Sequence, residues 1–392
     1  MPTLDLAPAS TADYRALAEK RLPRPLFDYI DGGSYGETSL RRNVEDFAAL
    51  ALRQRVLVDV SKIDTRISLF GREWAMPVAL APIGMGGMMA RRAEALAVTC
   101  AHDAGIPFCL STVSICPLEE VAKAAAGPFW FQLYMLRDRG AVEELLARAK
   151  AVGVRTLLFT VDLPVMGARY RDMRNGLAGG LSTLGRLRLG ADYAAHGRWA
   201  LDVAVKGKPL TFGNLAKYVP DARTPADFRA WVDAQFDASV TWKDIEWLRG
   251  KWAGDLVLKG VLDPEDARLA ARSGADGVVV SNHGGRQLDG VSSAIAMTPR
   301  IVEAAGDRLV VLMDGGVRSG MDVVKALAAG AKAVLIGRPW IWALAGRGSR
   351  GLVALLKTFR AEMNVAMALT GAPSIGDVSA ALVEGTVWTG GR

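Results

Sequence analysis

The segment at residues 277–290, GVVVSNHGGRQLDG, joins a buried-strand pattern to a run of polar groups. Its three consecutive valines at 278–280 are typical of a strand that is buried on both faces. Residues 281–287 then contain no apolar side chain, and His283 and Arg286 stand three positions apart among them. Parallel α/β folds place their binding and catalytic groups in the loops after such strands. The pattern therefore indicates a functional loop with a base and a cation, and a plain polar turn is the weaker interpretation.

Two later loops combine glycines with an arginine. The sequence DGGVR follows an apolar segment at 309–313, and a Gly-Arg pair follows another at 333–336. Backbone N–H groups in such loops, together with a cationic side chain, can bind phosphate, and in eight-stranded barrels this site follows strands seven and eight. Turn glycines beside surface arginines would explain either loop alone but not both together. The candidate phosphate residues are Asp314, Gly315, Gly316, Val317, Arg318, Gly337 and Arg338.

Polar side chains also end most of the other predicted strands. Lys259 follows a mostly apolar segment, and its charge requires an anionic partner if the side chain points into the protein. A single polar group at a strand end is usually structural, but the carboxyl ends of parallel strands meet at one edge. Their convergence predicts one shared site. The other candidates are Ala81, Pro82, Ile83 and Gly84 after the first strand, Ser111 after the second, Gln132 and Tyr134 after the third, and Thr160 and Asp162 after the fourth.

Apolar and helical segments alternate from about residue 75 to 340. The segment DPED at 263–266 is a strong helix start, because it offers a capping side chain, a proline and two acids in order. About eight strand–helix units of this kind predict an α/β fold, a (β/α)8 TIM barrel. A doubly wound open sheet is the alternative. The predicted strands are 75–81, 108–110, 129–133, 156–160, 256–258, 278–281, 309–313 and 333–336.

We expect the whole chain, 1–392, to form one domain. Two of its regions do not follow the alternation of strands and helices. Residues 1–70 should form an N-terminal helical cap on a barrel at 71–350, with a C-terminal helical region at 351–392. The crossover after the fourth strand is far longer than usual, and its part at 176–219, the insertion, is basic and rich in leucine. A lid or disordered loop and a segment that lies on an anionic membrane explain the insertion equally well.

The composition limits the classes of partner. The 392 residues carry a formal net charge of +7 and are 51% hydrophobic, which suits an anionic cofactor, substrate or membrane surface and allows a sizeable core. No dense basic run or reader motif supports nucleic-acid binding. The three cysteines have no disulfide or metal-binding spacing, so we expect reduced thiols and no metal site. No export signal is apparent near the first residues, which favours a cytoplasmic setting.

The segment SNHGGRQLDG resembles the signature of the FMN-dependent enzymes that oxidise L-2-hydroxy acids. The similarity extends from FDYIDGGSYGETSLRRN at 27–43 to MALTGAPSI at 367–375. Segments such as WFQLYMLRDRG and GVLDPEDAR are most similar to the bacterial respiratory, membrane-associated L-lactate dehydrogenases of that family. The resemblance implies an FMN-binding barrel, an oxidoreductase.

The resemblance also implies which residues would bind the cofactor. Backbone groups of the first strand's loop would contact the flavin, polar side chains of the next strands would hydrogen-bond its edge, a lysine would lie near N1 and O2, and the glycine–arginine loops would hold the phosphate. In that order these are Ala81, Pro82, Ile83 and Gly84; Ser111, Gln132 and Thr160; Lys259; and Asp314, Gly315, Gly316, Val317, Arg318, Gly337 and Arg338. Ser281 would add a further contact with the cofactor.

The same resemblance implies the substrate and catalytic groups. His283 would be the base, paired with Asp162, and Tyr134 would assist it. Guanidinium groups would bind the substrate carboxylate, and phenols would contact the substrate oxygens. The implied substrate-binding residues are Tyr29, Tyr134, Arg169 and Arg286.

The implied reaction is the FMN-dependent oxidation of an L-2-hydroxy acid, above all L-lactate to pyruvate. Electrons would pass to a quinone or another non-oxygen acceptor. The enzyme would lie at the cytoplasmic face of the cell membrane, or otherwise in the cytoplasm, and would form a homo-tetramer. An L-mandelate dehydrogenase, or a soluble oxidase that forms hydrogen peroxide, is the alternative. Ile83, Gly84 and Val113 differ from several relatives, which leaves the acceptor and the pocket size open. A barrel that binds FMN or an anionic ligand without turnover would be expected to lack His283, Arg286 or Arg169, and all three are present.

Overall fold

The computed structural model describes residues 7–176, 181–219, 231 and 234–384 of the chain. Eight parallel strands form its centre, each joined to the next along the chain by helical or irregular segments. We number these barrel strands in chain order: β1 Val78–Leu80, β2 Cys109–Ser111, β3 Trp130–Leu133, β4 Thr156–Thr160, β5 Asp255–Val261, β6 Gly277–Val280, β7 Val310–Asp314 and β8 Ala333–Ile336.

The strands pair in the order β1-β8-β7-β6-β5-β4-β3-β2, always in parallel. A parallel bridge between Leu80 and Phe108 joins β1 to the start of β2, and the Leu80 N–H donates to the Pro107 carbonyl at 2.9 Å. The sheet is therefore closed, as a TIM barrel requires. This confirms the predicted fold class, and the open doubly wound sheet is wrong.

Both faces of the sheet are buried, which explains the continuous apolar runs of the strands. Val278 and Val280 face the surrounding helices, whereas Val279 belongs to the core inside the barrel. The residues inside the barrel are mostly small or β-branched. They include Ala79, Ala81, Cys109, Leu158, Val257, Leu312, Ala333 and Leu335.

Several helices around the barrel begin after a residue whose side chain accepts a hydrogen bond from a free backbone N–H group, as at Asp138, Asp263, Ser293 and Ser319. The Asp263 carboxylate accepts a hydrogen bond from the Glu265 N–H, and Pro264 occupies the first turn, as predicted. The helices that follow β1 to β8 are Ala93–Asp103, Leu118–Ala124, Arg139–Ala151, Trp242–Lys251, Pro264–Arg272, Ala294–Ala305, Gly320–Ala328 and Arg338–Thr370, the last of which is interrupted at Gly348.

The N-terminal region is helical only in its first part. The helices Thr11–Arg21, Arg24–Asp31 and Thr38–Ala49 precede an extended segment and a hairpin of Ile67–Leu69 with Arg72–Trp74. The Trp74 ring lies 5.4 Å from that of Trp130, the first residue of β3, so the hairpin closes the amino-terminal end of the barrel. The expected helical cap over 1–70 thus extends to Ala49, and the hairpin was not foreseen.

The insertion between β4 and β5 packs only part of its length onto the barrel. Its helices are Thr183–Ala195, Gly197–Trp199 and the π-helical turn Ala200–Val205, followed by the 3-10 turn Ala216–Tyr218. The helix Thr183–Ala195 buries none of its residues. Residues 177–180 of the predicted insertion lie outside the described part of the chain. None of the described helices combines the length and apolarity needed to cross a bilayer.

Candidate active site

A cleft of about 1260 Å³, measured to its open mouth, lies over the carboxyl ends of the barrel strands. Residues predicted from strand ends, from the glycine–arginine loops and from the family resemblance converge on it. From those sets the lining contains Tyr29, Ala81, Pro82, Ile83, Gly84, Tyr134, Arg169, Lys259, His283, Arg286, Asp314, Gly315, Gly316, Val317, Arg318, Gly337 and Arg338.

The loop after β6 holds His283 in an uncommon backbone conformation. His283, Gly284 and Gly285 have φ angles of 57°, 64° and 74°, in the left-handed region that a histidine rarely adopts. The His283 N–H donates to the Ser281 hydroxyl at 2.9 Å, and the Gly285 N–H donates to the Asn282 side chain at 3.0 Å. This local strain turns the chain back immediately after the strand and places the imidazole over the barrel mouth.

The His283 imidazole is paired with the Asp162 carboxylate, with 2.9 Å between Nδ1 and Oδ1. A carboxylate only accepts hydrogen bonds, so Nδ1 carries the proton of the neutral ring and Nε2 presents a lone pair. Burial lowers the pKa of His283 below its usual value, although Asp162 opposes this effect. Burial acts to raise the pKa of Asp162, but the charge and hydrogen bond of His283, together with the charge of Lys259, outweigh it and the net shift is downward. The pair can therefore accept a proton on Nε2.

Lys259, at 4% exposure, has the anionic partner that its position in the sequence required. Its ammonium lies 3.0 Å from the Asp314 carboxylate and donates to the Ser281 hydroxyl at 3.1 Å. Burial disfavours the charged form, but Asp314 and Asp162 outweigh it, and the pKa of Lys259 is raised. A fixed positive charge is thus present at the cleft.

The ends of β2, β3 and β4 are linked by a chain of side-chain hydrogen bonds. The Gln132 amide oxygen accepts from the Ser111 hydroxyl at 3.0 Å, and its amide nitrogen donates to the Thr160 hydroxyl at 3.0 Å. All three residues are buried. They are not part of the cleft lining itself, and their predicted contact with a flavin edge stays a prediction.

Three arginines give the other end of the cleft a strong positive charge. Arg286 donates to the carbonyls of Tyr29 and Gly32, and Arg338 donates to the carbonyls of Gly32, Asp31 and Gly284. Burial lowers the pKa of Arg338, and the neighbouring charges of Arg286 and Arg318 lower it further. Burial also lowers the pKa of Arg318, to about 10. Cations held in this way favour an anionic ligand.

The turn after β7 completes this end of the cleft. Gly315 and Gly316 have φ angles of 86° and 88°, a backbone conformation that residues with a side chain rarely adopt. A Cβ atom on Gly316 would also lie only 2.0 Å from the Asn43 carbonyl oxygen. The close packing leaves backbone groups, rather than side chains, to face the cleft. Buried guanidinium groups, glycine turns and the Lys259 ammonium together fit a phosphate-bearing flavin such as FMN.

Sequence reasoning missed Asn43, which fastens the N-terminal cap to two site loops. Its side-chain amide forms a reciprocal pair with that of Asn282, with both N···O distances at 2.8 Å. Its backbone packs against Gly316 of the turn after β7. The only indication of its importance in the sequence is that it ends the segment SLRRN, which resembles the family. Its partner, Asn282, is visible only in the folded structure.

The cleft is apolar at the side where Tyr134 lies. The Tyr134 ring packs 5.1 Å from that of Phe236, and burial raises the pKa of the Tyr134 phenol. Across the cleft, the Tyr29 hydroxyl donates to the Gly84 carbonyl at 3.4 Å. Arg169 is 7% exposed and its Nε lies 3.4 Å from the Arg286 carbonyl. Sequence reasoning missed most of the apolar wall, formed by Val113, Leu163, Met166, Phe212 and Phe236.

Comparison with solved structures supports the fold and the site together. The fold matches that of the monotopic membrane protein (S)-mandelate dehydrogenase with a TM-score of 0.90 and 34% identity, covering 96% of this chain and 99% of that one. It also matches mandelate oxidase with (S)-4-hydroxymandelic acid, with a TM-score of 0.83 and 38% identity over 96% and 98% of the chains.

Sequence comparison supports the same assignment. The chain is 54% identical to L-lactate dehydrogenase of Caulobacter sp. (strain K31), over 96% of this chain and 99% of that one. It is 53% identical to the L-lactate dehydrogenase of Azorhizobium caulinodans, over 95% and 97% of the two chains. Residues 18–385 match the family model for FMN-dependent dehydrogenases. The protein is therefore an oxidoreductase that uses FMN, and it belongs to the FMN-dependent dehydrogenase family.

Proposed function

We propose that this protein is an L-lactate dehydrogenase that converts L-lactate to pyruvate. The observation that carries the proposal is the His283–Asp162 pair, 2.9 Å apart, in the same cleft as the Arg286 and Arg169 guanidinium groups. A base beside cations suits a substrate that loses a proton while its carboxylate stays bound. Relatives with 52–56% identity over at least 95% of the chain carry the name L-lactate dehydrogenase.

FMN, when bound, accepts the two electrons that leave the hydroxyl-bearing carbon of the substrate. Its phosphate would be held by the backbone of the two glycine loops and by two arginines. Lys259 would favour negative charge on the flavin ring. The residues proposed for the phosphate are Asp314, Gly315, Gly316, Val317, Arg318, Gly337 and Arg338, and those proposed for the ring are Ala81, Pro82, Ile83, Gly84, Ser111, Gln132, Thr160 and Ser281.

The side chains of the protein would orient the substrate and move its proton. Arg286 and Arg169 would bind the carboxylate, and Tyr29 and Tyr134 would contact the oxygens. The lone pair of His283 Nε2 would accept a proton from the substrate. Asp162 would then stabilise the imidazolium, because an anion at 2.9 Å favours the charged ring. Oxidation of lactate releases two protons and two electrons, and His283 would take the first proton.

Steady-state assays of the purified holoenzyme test this proposal. L-lactate, D-lactate, glycolate and L-mandelate are compared with an artificial dye as acceptor, with and without oxygen. We expect L-lactate to give the highest kcat/KM and D-lactate to be inert. A preference for L-mandelate would favour the mandelate dehydrogenase alternative, which the high structural similarity to (S)-mandelate dehydrogenase supports. Hydrogen peroxide formed in step with lactate consumption would show an oxidase instead.

We also propose that the enzyme lies on the cytoplasmic face of the cell membrane and reduces a quinone. The insertion exposes Leu184, Leu187, Leu201 and Val205 at 57%, 67%, 55% and 61%. Arginines at 186 and 188 accompany them, and the whole chain has a net charge of +7. Apolar side chains beside cations suit an anionic bilayer surface. Reduction of a short-chain quinone by lactate, followed in the presence of vesicles, would test the acceptor.

We further propose that the chain acts as one domain and assembles as a homo-tetramer. Light scattering of the detergent-free protein at several concentrations would measure the assembly. A mass of one chain, about 42 kDa, at all concentrations would contradict the proposed tetramer.

A further inference from the structure

The last part of the insertion returns to the cleft and forms part of its wall. Phe212 is 5% exposed and lines the cleft together with Val113 from the loop after β2. The next residue, Gly213, donates its N–H to the Ser114 carbonyl of that loop at 3.0 Å. The insertion and the loop after β2 therefore form one wall of the cleft.

The Asn214 side chain fastens this wall at several points. Its amide nitrogen donates to the Ser111 carbonyl at 3.2 Å and to the Ser114 hydroxyl at 3.0 Å. Its amide oxygen accepts from the Leu118 N–H at 2.8 Å, at the start of the helix Leu118–Ala124. Asn214 is 1% exposed, so water cannot replace these hydrogen-bond partners. Loss of its amide nitrogen or its amide oxygen would therefore leave buried backbone and side-chain groups without a hydrogen bond.

Close backbone packing prevents this segment from sliding. A Cβ on Gly213 would lie 2.6 Å from both the Ile115 carbonyl oxygen and the Pro117 nitrogen. The Asn214 carbonyl also accepts from Arg148 at 2.9 Å. Contacts of Gly213 and Asn214 with the barrel thus hold the segment that directly follows Phe212.

We propose that Phe212 limits the size of the substrate side chain and that Asn214 is the positioning residue that holds it in place. The inference rests on the proposed function and narrows its substrate class to short aliphatic L-2-hydroxy acids. In the proposed function Arg286 and Arg169 bind the carboxylate of such an acid, so its side chain is left to the apolar wall. A phenyl ring placed there stops larger side chains.

The test compares Phe212→Ala and Asn214→Asp with the wild-type holoenzyme, after the FMN content of each has been measured. We expect Phe212→Ala to raise the kcat/KM of L-mandelate relative to L-lactate by about tenfold or more. Asn214→Asp keeps the shape of the side chain but removes its N–H donor. We expect this variant to raise KM for lactate more than it lowers kcat. We also expect it to raise the kcat/KM of L-mandelate relative to L-lactate, as Phe212→Ala does. Val365→Ala, at an exposed position on a helix outside the insertion, is the control and should leave the ratio unchanged.

The double variant separates positioning from a general structural role. If Asn214 acts through Phe212, the double variant Phe212→Ala/Asn214→Asp shows the ratio of Phe212→Ala alone, whereas independent effects would multiply. An unchanged ratio in Phe212→Ala, or multiplied effects in the double variant, overturns the proposal. Asn214→Ser replaces Asn214→Asp if the latter does not fold.

A binding measurement distinguishes failure of this inference from failure of the proposed function. Pyruvate and phenylglyoxylate are titrated into each holoenzyme, and the change in flavin absorbance gives their Kd values. We expect Phe212→Ala to lower the Kd of phenylglyoxylate relative to pyruvate by about tenfold. A wild-type enzyme that oxidises none of the acids would refute the dehydrogenase, while the ratio of Kd values would still decide whether Phe212 limits size.

Discussion

At the scale of single residues, the imidazole of His283 is the group on which the proposed chemistry depends. Replacement by glutamine keeps a polar side chain of similar size but removes the base. We expect His283→Gln to lower kcat for lactate by about 10²–10⁴-fold, the usual contribution of a positioned base. Rapid-mixing spectroscopy of flavin reduction measures the effect directly. The variant should retain FMN, and flavin reduction at the wild-type rate would remove His283 from the mechanism.

The pH dependence of the reaction follows from the same imidazole. A base must be unprotonated, so kcat/KM rises as pH passes upward through the pKa of His283 in the free enzyme. Burial lowers this pKa below its usual value of about 6.5, so we expect the half-maximal point of the kcat/KM profile to lie below that of a free imidazole. A half-maximal point between pH 7 and 8 would contradict this assignment.

Asp162→Asn separates the two effects of the carboxylate. The charge of Asp162 raises the pKa of His283, so its loss should move the acid limb to lower pH. The same change should lower kcat, because the imidazolium loses its stabilising anion. Asp307→Asn, at an exposed position away from the cleft, is the control and should change neither quantity.

At the scale of elements, the strands and most helices could be predicted because their patterns are local. Apolar runs marked the barrel strands, and Asp263 and Pro264 marked a helix start that the structure confirms. The hairpin at 67–74 was missed because its short strands carry no strong alternation. Asn43 was missed because it meets Asn282 across 239 residues of sequence, and no local pattern reports such a contact. The insertion wall at Phe212 was missed for the same reason.

The contact between Asn43 and Asn282 predicts a loss of cofactor binding when it is broken. In Asn43→Asp one of the two hydrogen bonds becomes a contact between oxygens, and Asn282 cannot simply flip because its amide also serves Gly285 and Ser292. We expect a loss of about 1–3 kcal/mol in the free energy of unfolding, and weaker FMN binding. Thermal unfolding with and without added FMN measures both.

The matched control for this variant is Glu45→Gln, on the exposed side of the same helix. It should leave the melting temperature and the stabilisation by FMN unchanged. An Asn43→Asp enzyme with wild-type FMN affinity would show that the cap does not support the loops that we propose for the phosphate and the base.

At the scale of the whole molecule, the cap, the insertion and the barrel meet at one end. The cap supplies Tyr29 and Asn43, the insertion supplies Phe212, and the barrel strands supply the charged groups. The opposite end is closed by the hairpin with Trp74. A surface that engages a membrane through the insertion would therefore lie on the part of the chain that also forms the cleft wall.

The apolar side chains of the insertion predict binding to anionic vesicles. Leu184 and Leu187 stand one turn apart on the helix Thr183–Ala195, and transfer of two such side chains from water contributes up to about 3–6 kcal/mol. We expect the double variant Leu184→Ser/Leu187→Ser to bind anionic vesicles at least about tenfold more weakly, because partial burial retains only part of this free energy. Activity with a soluble dye should stay at the wild-type level. Cosedimentation at several salt concentrations measures the binding, and salt should weaken it for both proteins.

Val365→Ser/Leu369→Ser is the matched control, since these residues are 58% and 55% exposed on a helix that is not part of the insertion. This variant should bind vesicles as the wild type does. Equal losses in both double variants would show that apolar exposure in general, rather than the insertion, attracts the protein to lipid. If the Leu184→Ser/Leu187→Ser enzyme binds vesicles as the wild type does, the apolar face of this helix contributes nothing to membrane contact. That result would favour the other interpretation of the insertion, a lid over the cleft.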